Sequence, residues 1–264
     1  LGPIGIGAGK TLIGMLAPMV TKNCQRAVLL LPPDLRVQFH HEWPEYAKHW
    51  RLPNLAGGTS FVDDGRPVLH VVAYSELSGT KNSNLLEDIN PDAIFGDEIQ
   101  CLASFLSARS KRLLRFFANH SATRFGGWTG TMTSDSPDDY AHFGFLALGA
   151  GSPLPIEQGV VKQWAAAIAP SNRTGYFAPG ALEALCTPGE NVRHGFRRRL
   201  VDTLGVVATE DSASDIPLII SERKAPPIPK EIQEHLRNLR ASWVRPDGEV
   251  FREAVKANAA GVIV

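Results

Sequence analysis

The chain has 264 residues with 27 Lys and Arg against 27 Asp and Glu, so no global field recruits nucleic acid, an anionic membrane or an acidic substrate, and any basic binding surface has to be local. Three cysteines, Cys24, Cys101 and Cys186, are odd in number and far apart, which fits free thiols in a reducing compartment better than a disulfide framework or a zinc site. The longest apolar run, around Ala27 to Leu31, is far too short to span a bilayer, and no charged region followed by an apolar core and a cleavage site opens the chain; the expected location is cytoplasmic, in a prokaryote or a phage-infected cell, or nuclear in a eukaryote.

The chain opens on "PIGIGAGKTLIG" (3–14), a glycine-rich loop leading into a helical segment, "TLIGMLAPMVTK" (11–22). It begins only a few residues before that loop, leaving little room for a preceding strand, and reads as a fragment. "RAVLLLPP" (26–33) reads as a buried strand, followed by a helix over 34–50 in which Leu35, Phe39 and Trp43 recur at helical spacing behind Asp34 as N-cap. Further strands are expected at "VLHVVAYS" (68–75), "DAIFGDE" (92–98) and "TRFGGWTGT" (123–131), with a helix at "FLSARSKRLLRFFANH" (105–120). Near-continuous apolar strands alternating with helices predict an α/β fold, a parallel sheet with helices on both faces, whose strand ends carry the polar, motif-like residues.

The character shifts after about residue 150. "LGAGSPLP" (148–155) is a loop, and 156–207 reads as helices broken by Pro170, Pro179 and Pro188, including the densest basic stretch, "RHGFRRR" (193–199). "IPLIISER" (216–223) is one further strand, "APPIPK" (225–230) a stiff linker, and a helix follows near 230–241. The expected domains are 1–150, the α/β lobe; 151–224, a helical extension with a final strand; and 225–264, a linker and lead-in to something further.

A phosphate-binding loop needs glycines whose backbone N–H groups face phosphate oxygens, a lysine for the β/γ-phosphates, a Ser/Thr hydroxyl for Mg²⁺, and a helix N-terminus behind them. Gly5, Gly7, Ala8, Gly9, Lys10, Thr11 and Leu12 form the candidate nucleotide-binding set, although Ile4 stands where the strict pattern has its first glycine. "AIFGDEIQ" puts Asp97 and Glu98 directly after an apolar strand. A nucleotide hydrolase needs one carboxylate there for Mg²⁺ and another for the attacking water. Gly96 would let the backbone pass close to the nucleotide. Adjacent His40 and His41 in "HHEW" project in different directions on a helix and have no second ligand cluster, which disfavours a metal site. The arginines at 193 and 197–199 read first as a solvated helix face and second as a phosphate-backbone contact.

In order, "GIGAGKT", "LLLPPDLRVQFHHEW", "VVAYSEL", "DAIFGDEIQ" and "RFGGWTGTMTSDSPDDYAHFGFLALG" resemble motifs I, Ia, Ib, II and III of the superfamily two helicases and translocases, most closely the Swi/Snf-type branch and its bacteriophage relatives. The resemblance covers about residues 5–150 and implies a RecA-like ATP-binding lobe acting with ATP, Mg²⁺ and nucleic acid, most readily DNA through its backbone. It implies catalytic roles for Lys10, Asp97, Glu98 and Gln100, with Thr11 and Asp97 on Mg²⁺. Thr129, Gly130 and Thr131 would couple nucleotide state to nucleic acid. Gln100 replaces the histidine of the commoner box and retains a hydrogen bond across to that Thr-Gly-Thr. Pro32, Arg36, Gln38, Tyr74 and Ser75 would line the nucleic-acid track, although core packing is an equally good reading for the last four.

A motor of this class also needs a second RecA-like lobe with an arginine finger, and no Q-x-x-G-R-x-G-R-like segment occurs in 151–264. The expected function is therefore an ATP-dependent DNA helicase or translocase represented by its ATP-binding half. Two alternatives stay open: a P-loop ATPase that does not act on nucleic acid, and a degenerate nucleotide-binding scaffold.

Overall fold

The fold is read from a computed structural model that describes residues 1–5, 9–58, 61–103, 105–130, 136–168 and 186–208, together with Lys230, Gln233 and Glu234. One compact unit spans Leu1–Asp211 and another Ser212–Val264. In the second, the three described residues are helical and lie in the stretch expected as a helix near 230–241. The strand expected at 216–223 and the linker before Lys230 lie outside the described residues.

The first unit is α/β. Six strands, β1 (Gly2–Pro3), β2 (Arg26–Leu31), β3 (Asn54–Leu55), β4 (Val68–Ala73), β5 (Ala93–Asp97) and β6 (Arg124–Thr129), form one sheet in the order β1-β6-β5-β2-β4-β3. Every pairing is parallel. A strand does precede the glycine loop: Gly2 and Pro3 pair with Trp128 and Thr129, and the Ile4 N–H donates to the Thr129 carbonyl at 3.0 Å. β3 is a short edge strand that the sequence did not announce.

Strands covered on both faces alternate between two cores. Val28, Leu30, Val72, Ile94 and Phe125 point into one, and Ala27, Leu29, Leu31, Leu69, Phe95 and Trp128 into the other. The second core is closed by α1 (Lys10–Val20) through Met15 and by α2 (Pro33–Ala47) through Phe39. The first is closed by α3 (Leu85–Ile89), α4 (Ala108–Asn119), α5 (Pro137–Leu148), α6 (Gln158–Ile168) and α7 (Val192–Asp202). Helices on both faces of a parallel sheet are the class the alternating pattern predicts, and the described elements after residue 150 are helical.

Local chemistry sets the helix starts. Ser107 caps α4 by accepting from the Ser110 N–H at 3.2 Å, so the helix begins at Ala108 rather than at Phe105. Asp34 is not the N-cap of α2. Pro32 occupies the cap and Pro33 the first helical position, where a missing N–H costs nothing, while Asp34 sits in the first turn against the positive end of the helix dipole. α5 announces itself by the same signals, Pro137 followed by Asp138 and Asp139.

The basic stretch is a set of structural ties. Arg199 Nε donates to the Pro153 carbonyl at 2.9 Å while its guanidinium lies 5.6 Å from the Trp164 ring centre. Arg193 Nε donates to the Ile168 carbonyl at 3.2 Å, and Arg198 pairs with Glu190 at 3.1 Å. These bonds fasten α7 to α6 and to the segment before it.

Candidate active site

The site forms where α1 starts and where β5 and β6 end. Gly9 is the N-cap of α1 at φ 79°, a left-handed conformation that glycine adopts without a side-chain penalty. Lys10 and Thr11 therefore occupy the first turn, whose free N–H groups suit an anion. Half-buried Leu12 continues the helix. Gly5 is described; Ile6, Gly7 and Ala8 are not.

Across from the loop, β5 leaves the sheet at Asp97. Glu98 then adopts φ 53° and ψ 56°, left-handed backbone in a residue with a Cβ, before a 3₁₀ turn over Ile99–Leu102. Strain of this kind persists only where neighbours over-determine it, and here they do. Gly96 and Gly127 are register partners on β5 and β6, and Ile99 packs over both. A Cβ built on Gly96 would lie 2.7 Å from Ile99 Cγ2 and 3.0 Å from the Tyr74 hydroxyl; one on Gly127 would lie 2.6 Å from Ile99 Cγ2. Gly96 is thus explained by the isoleucine seated over it, not by approach of the backbone to a nucleotide. The Tyr74 hydroxyl donates to the Asp97 carbonyl at 2.8 Å and anchors the same turn from β4's side.

Lys10 Nζ and Glu98 Oε1 form an ion pair, with side chains 11% and 22% exposed. Glu98 Oε2 accepts from Gln100 Nε2 at 2.8 Å. The Gln100 amide, expected to reach toward Thr129–Thr131, is turned onto Glu98, and its buried Oε1 has no partner among the described residues. Asp97 is 7% exposed and its Oδ1 has no hydrogen-bond partner there either. Burial pushes the Asp97 carboxyl above the usual range and Glu98's charge adds to this, while Lys10, the nearby Trp128 indole N–H and the Glu98 backbone N–H oppose it.

Thr11 and Asp97 line a cavity of about 40 Å³ whose other walls are Leu31, Leu35, Gln38 and Phe39. A buried carboxylate oxygen lacking a partner, a hydroxyl and a small void are the parts that a hard divalent cation needs from the protein. No group of three or more His, Cys, Asp or Glu side chains gathers among the described residues, so such an ion would draw its remaining ligands from phosphate and water, as Mg²⁺ does. The residues fit Mg²⁺ held between Thr11 and Asp97.

Thr129 is fully buried at the end of β6, and Gly130 follows it; Thr131 lies outside the described residues. On the candidate nucleic-acid side, Pro32 caps α2 and Ser75 is exposed after β4. Gln38 is exposed and bonded to Glu42 at 2.6 Å. Arg36 is half-exposed and pairs with Glu76 at 3.1 Å, while Glu76 also accepts the Ala73 N–H at 2.7 Å. Tyr74 corrects the expectation for it: the side chain is wholly buried and its hydroxyl engaged, so it cannot touch a nucleic acid. Sequence reading also missed Ile99, Gly127 and Arg112. Arg112 donates from Nη1 to the Gly79 and Asn82 carbonyls, both at 3.0 Å, and fixes the segment after β4. The available signal was glycine at the same depth in two strands, "FGD" and "FGGW".

No protein-family model matches the chain, and no curated protein matches it. Among solved structures the chain is similar to the SWI2/SNF2 ATPase core of Sulfolobus solfataricus in complex with dsDNA, with 14% identity and a TM-score of 0.49. The match covers 99% of this chain and 52% of that one, so the chain spans about half the length of that structure.

Proposed function

We propose that the chain is the ATP-binding and ATP-hydrolysing lobe of a nucleic-acid translocase or helicase. The observation that carries this reading is the meeting of Lys10, from the glycine loop, with Glu98, from the end of β5, beside buried Asp97, whose Oδ1 has no partner among the described residues. Lys10 exchanges Glu98 for the β/γ-phosphates of ATP. Glu98, released from that pair and steadied by Gln100, accepts a proton from the attacking water. Thr11 and Asp97 would hold Mg²⁺, which would supply neutralisation of charge on the phosphoryl oxygens.

The nucleic-acid half of the proposal draws on the order of the motifs and on Pro32, Gln38 and Ser75 at the strands' C-terminal edge, where open α/β sheets bind ligands. An arginine finger from a second lobe would contribute several orders of magnitude in rate. The chain alone is therefore expected to bind Mg-ATP weakly, hydrolyse it slowly and unwind no duplex. Steady-state ATPase assays with and without DNA test this, and robust DNA-stimulated turnover by this chain alone contradicts it. Hydrolysis that Lys10→Ala abolishes but DNA leaves unchanged, in a protein supplied with its second lobe, favours a P-loop ATPase with another task. Absence of any nucleotide-dependent thermal shift favours a scaffold.

A further inference from the structure

We infer that Tyr74 is a positioning residue for Glu98, and that it ties the exposed segment after β4 to the hydrolytic carboxylate. The inference rests on the proposed reading of the site and deepens it.

Tyr74 is fully buried; its N–H donates to the Leu31 carbonyl of β2 at 3.0 Å, and its hydroxyl donates to the carbonyl of Asp97, the residue directly before Glu98. That peptide enters the left-handed turn at Glu98, so its orientation sets where the Glu98 side chain starts. The Glu98 carboxylate is pinned at its far end by Lys10 and Gln100. Once Lys10 turns to phosphate, Gln100 and the backbone anchor remain to aim the carboxylate. Tyr74 is also the first residue past β4, and the segment it opens is held as a unit. Glu76 accepts the Ala73 N–H and the Arg36 guanidinium, and Arg112 gathers the Gly79 and Asn82 carbonyls. Exposed Ser75 lies one residue from the buried phenol. A load on this segment moves the Tyr74 backbone, and the hydroxyl transmits that movement to the peptide before Glu98.

Tyr74→Phe keeps the ring that fills the core and removes only the hydroxyl. Leu86→Val, an equally buried change on α3, serves as the control for loss of stability alone. The measurement is single-turnover ATP hydrolysis with this chain in excess over nucleotide and at a concentration above its Kd, beside nucleotide affinity and melting temperature. Tyr74→Phe is expected to slow hydrolysis about tenfold with nucleotide affinity unchanged, since small misplacements of a reacting group cost this much or more. Leu86→Val is expected to hydrolyse at the wild-type rate. A wild-type rate in Tyr74→Phe overturns the inference, as does a loss that Leu86→Val matches in step with its melting temperature. No single-turnover hydrolysis by the wild-type chain overturns the site reading itself. In a protein supplied with its second lobe, duplex DNA is expected to accelerate hydrolysis, and Tyr74→Phe to bind DNA equally well and lose the acceleration. Retained acceleration overturns the tie to the segment.

Discussion

Glu98 concentrates the proposed chemistry of the site at one residue. Its left-handed backbone costs about 1–2 kcal/mol relative to helical or extended geometry, and the surrounding contacts offset this. Glu98→Gln preserves shape while removing the base, so turnover is expected to fall by about 10²–10⁴ with nucleotide binding retained; a steady-state assay paired with a fluorescent-nucleotide titration reads both. Asp97→Asn is expected to remove the Mg²⁺-dependent part of nucleotide affinity, measured by titration with and without the metal. His142 on α5 has no part in this site but sets a pH dependence. Burial lowers its pKa to about 4, partly offset by a hydrogen bond to the Leu102 carbonyl. The unfolded chain, with an ordinary value of about 6.5, takes up the proton first as pH falls, so stability drops between about pH 6.5 and 4. Asp97, whose carboxyl is raised in the fold, works in the opposite sense toward the acid end. The difference between wild type and His142→Asn isolates the histidine: the variant is expected to lose less stability across that window by on the order of 2–3 kcal/mol in urea titrations.

At the scale of elements, two glycines facing each other on β5 and β6 make the notch in which Ile99 sits, and through it the 3₁₀ turn is seated on the sheet. Gly127→Ala is expected to destabilise the chain by about 1–3 kcal/mol through overpacking. Adding Ile99→Ala should recover part of that loss, giving a non-additive double mutant in denaturant unfolding. Rate should not return with stability, because the turn that carries Glu98 has lost its wedge. Arg199 of α7 behaves as a packing residue at this scale. Arg199→Ala removes the stack on Trp164 and the bond to Pro153, and is expected to cost about 1 kcal/mol in stability while leaving any DNA affinity unchanged.

At the scale of the molecule, specific nucleotide binding is expected to raise the melting temperature in step with RT ln(1 + [L]/Kd), about 2.7 kcal/mol at a hundredfold excess over Kd, and Lys10→Ala to remove the shift. No helix among the described residues is long and apolar enough to cross a membrane. The sheet brings the ends of β1, β5 and β6 side by side, although residues 3 and 97 are far apart in sequence, because β6 is inserted between the loop's strand and the carboxylates' strand.

Much of this was legible in one dimension. Apolar runs ending in polar residues located β2, β4, β5 and β6 to within a residue or two, because a strand buried on both faces must be apolar throughout and must stop where polar groups begin. Lys10, Asp97 and Glu98 were likewise singled out, since the chemistry proposed for each admits few residue types. The two-residue β1 and β3 were not, because their pairing comes from a neighbour rather than from their own composition. Nor were the roles of Tyr74, Gly96, Gly127, Ile99 and Arg199: a buried phenol and an exposed one look alike in sequence, as do a glycine for a ligand and a glycine for an isoleucine. By itself the sequence determined the class of fold and singled out the candidate reacting groups, which depend on pattern and residue type. Only the tertiary structure decided which side chains hold those groups in place, because that depends on which strands become neighbours and how closely their faces meet.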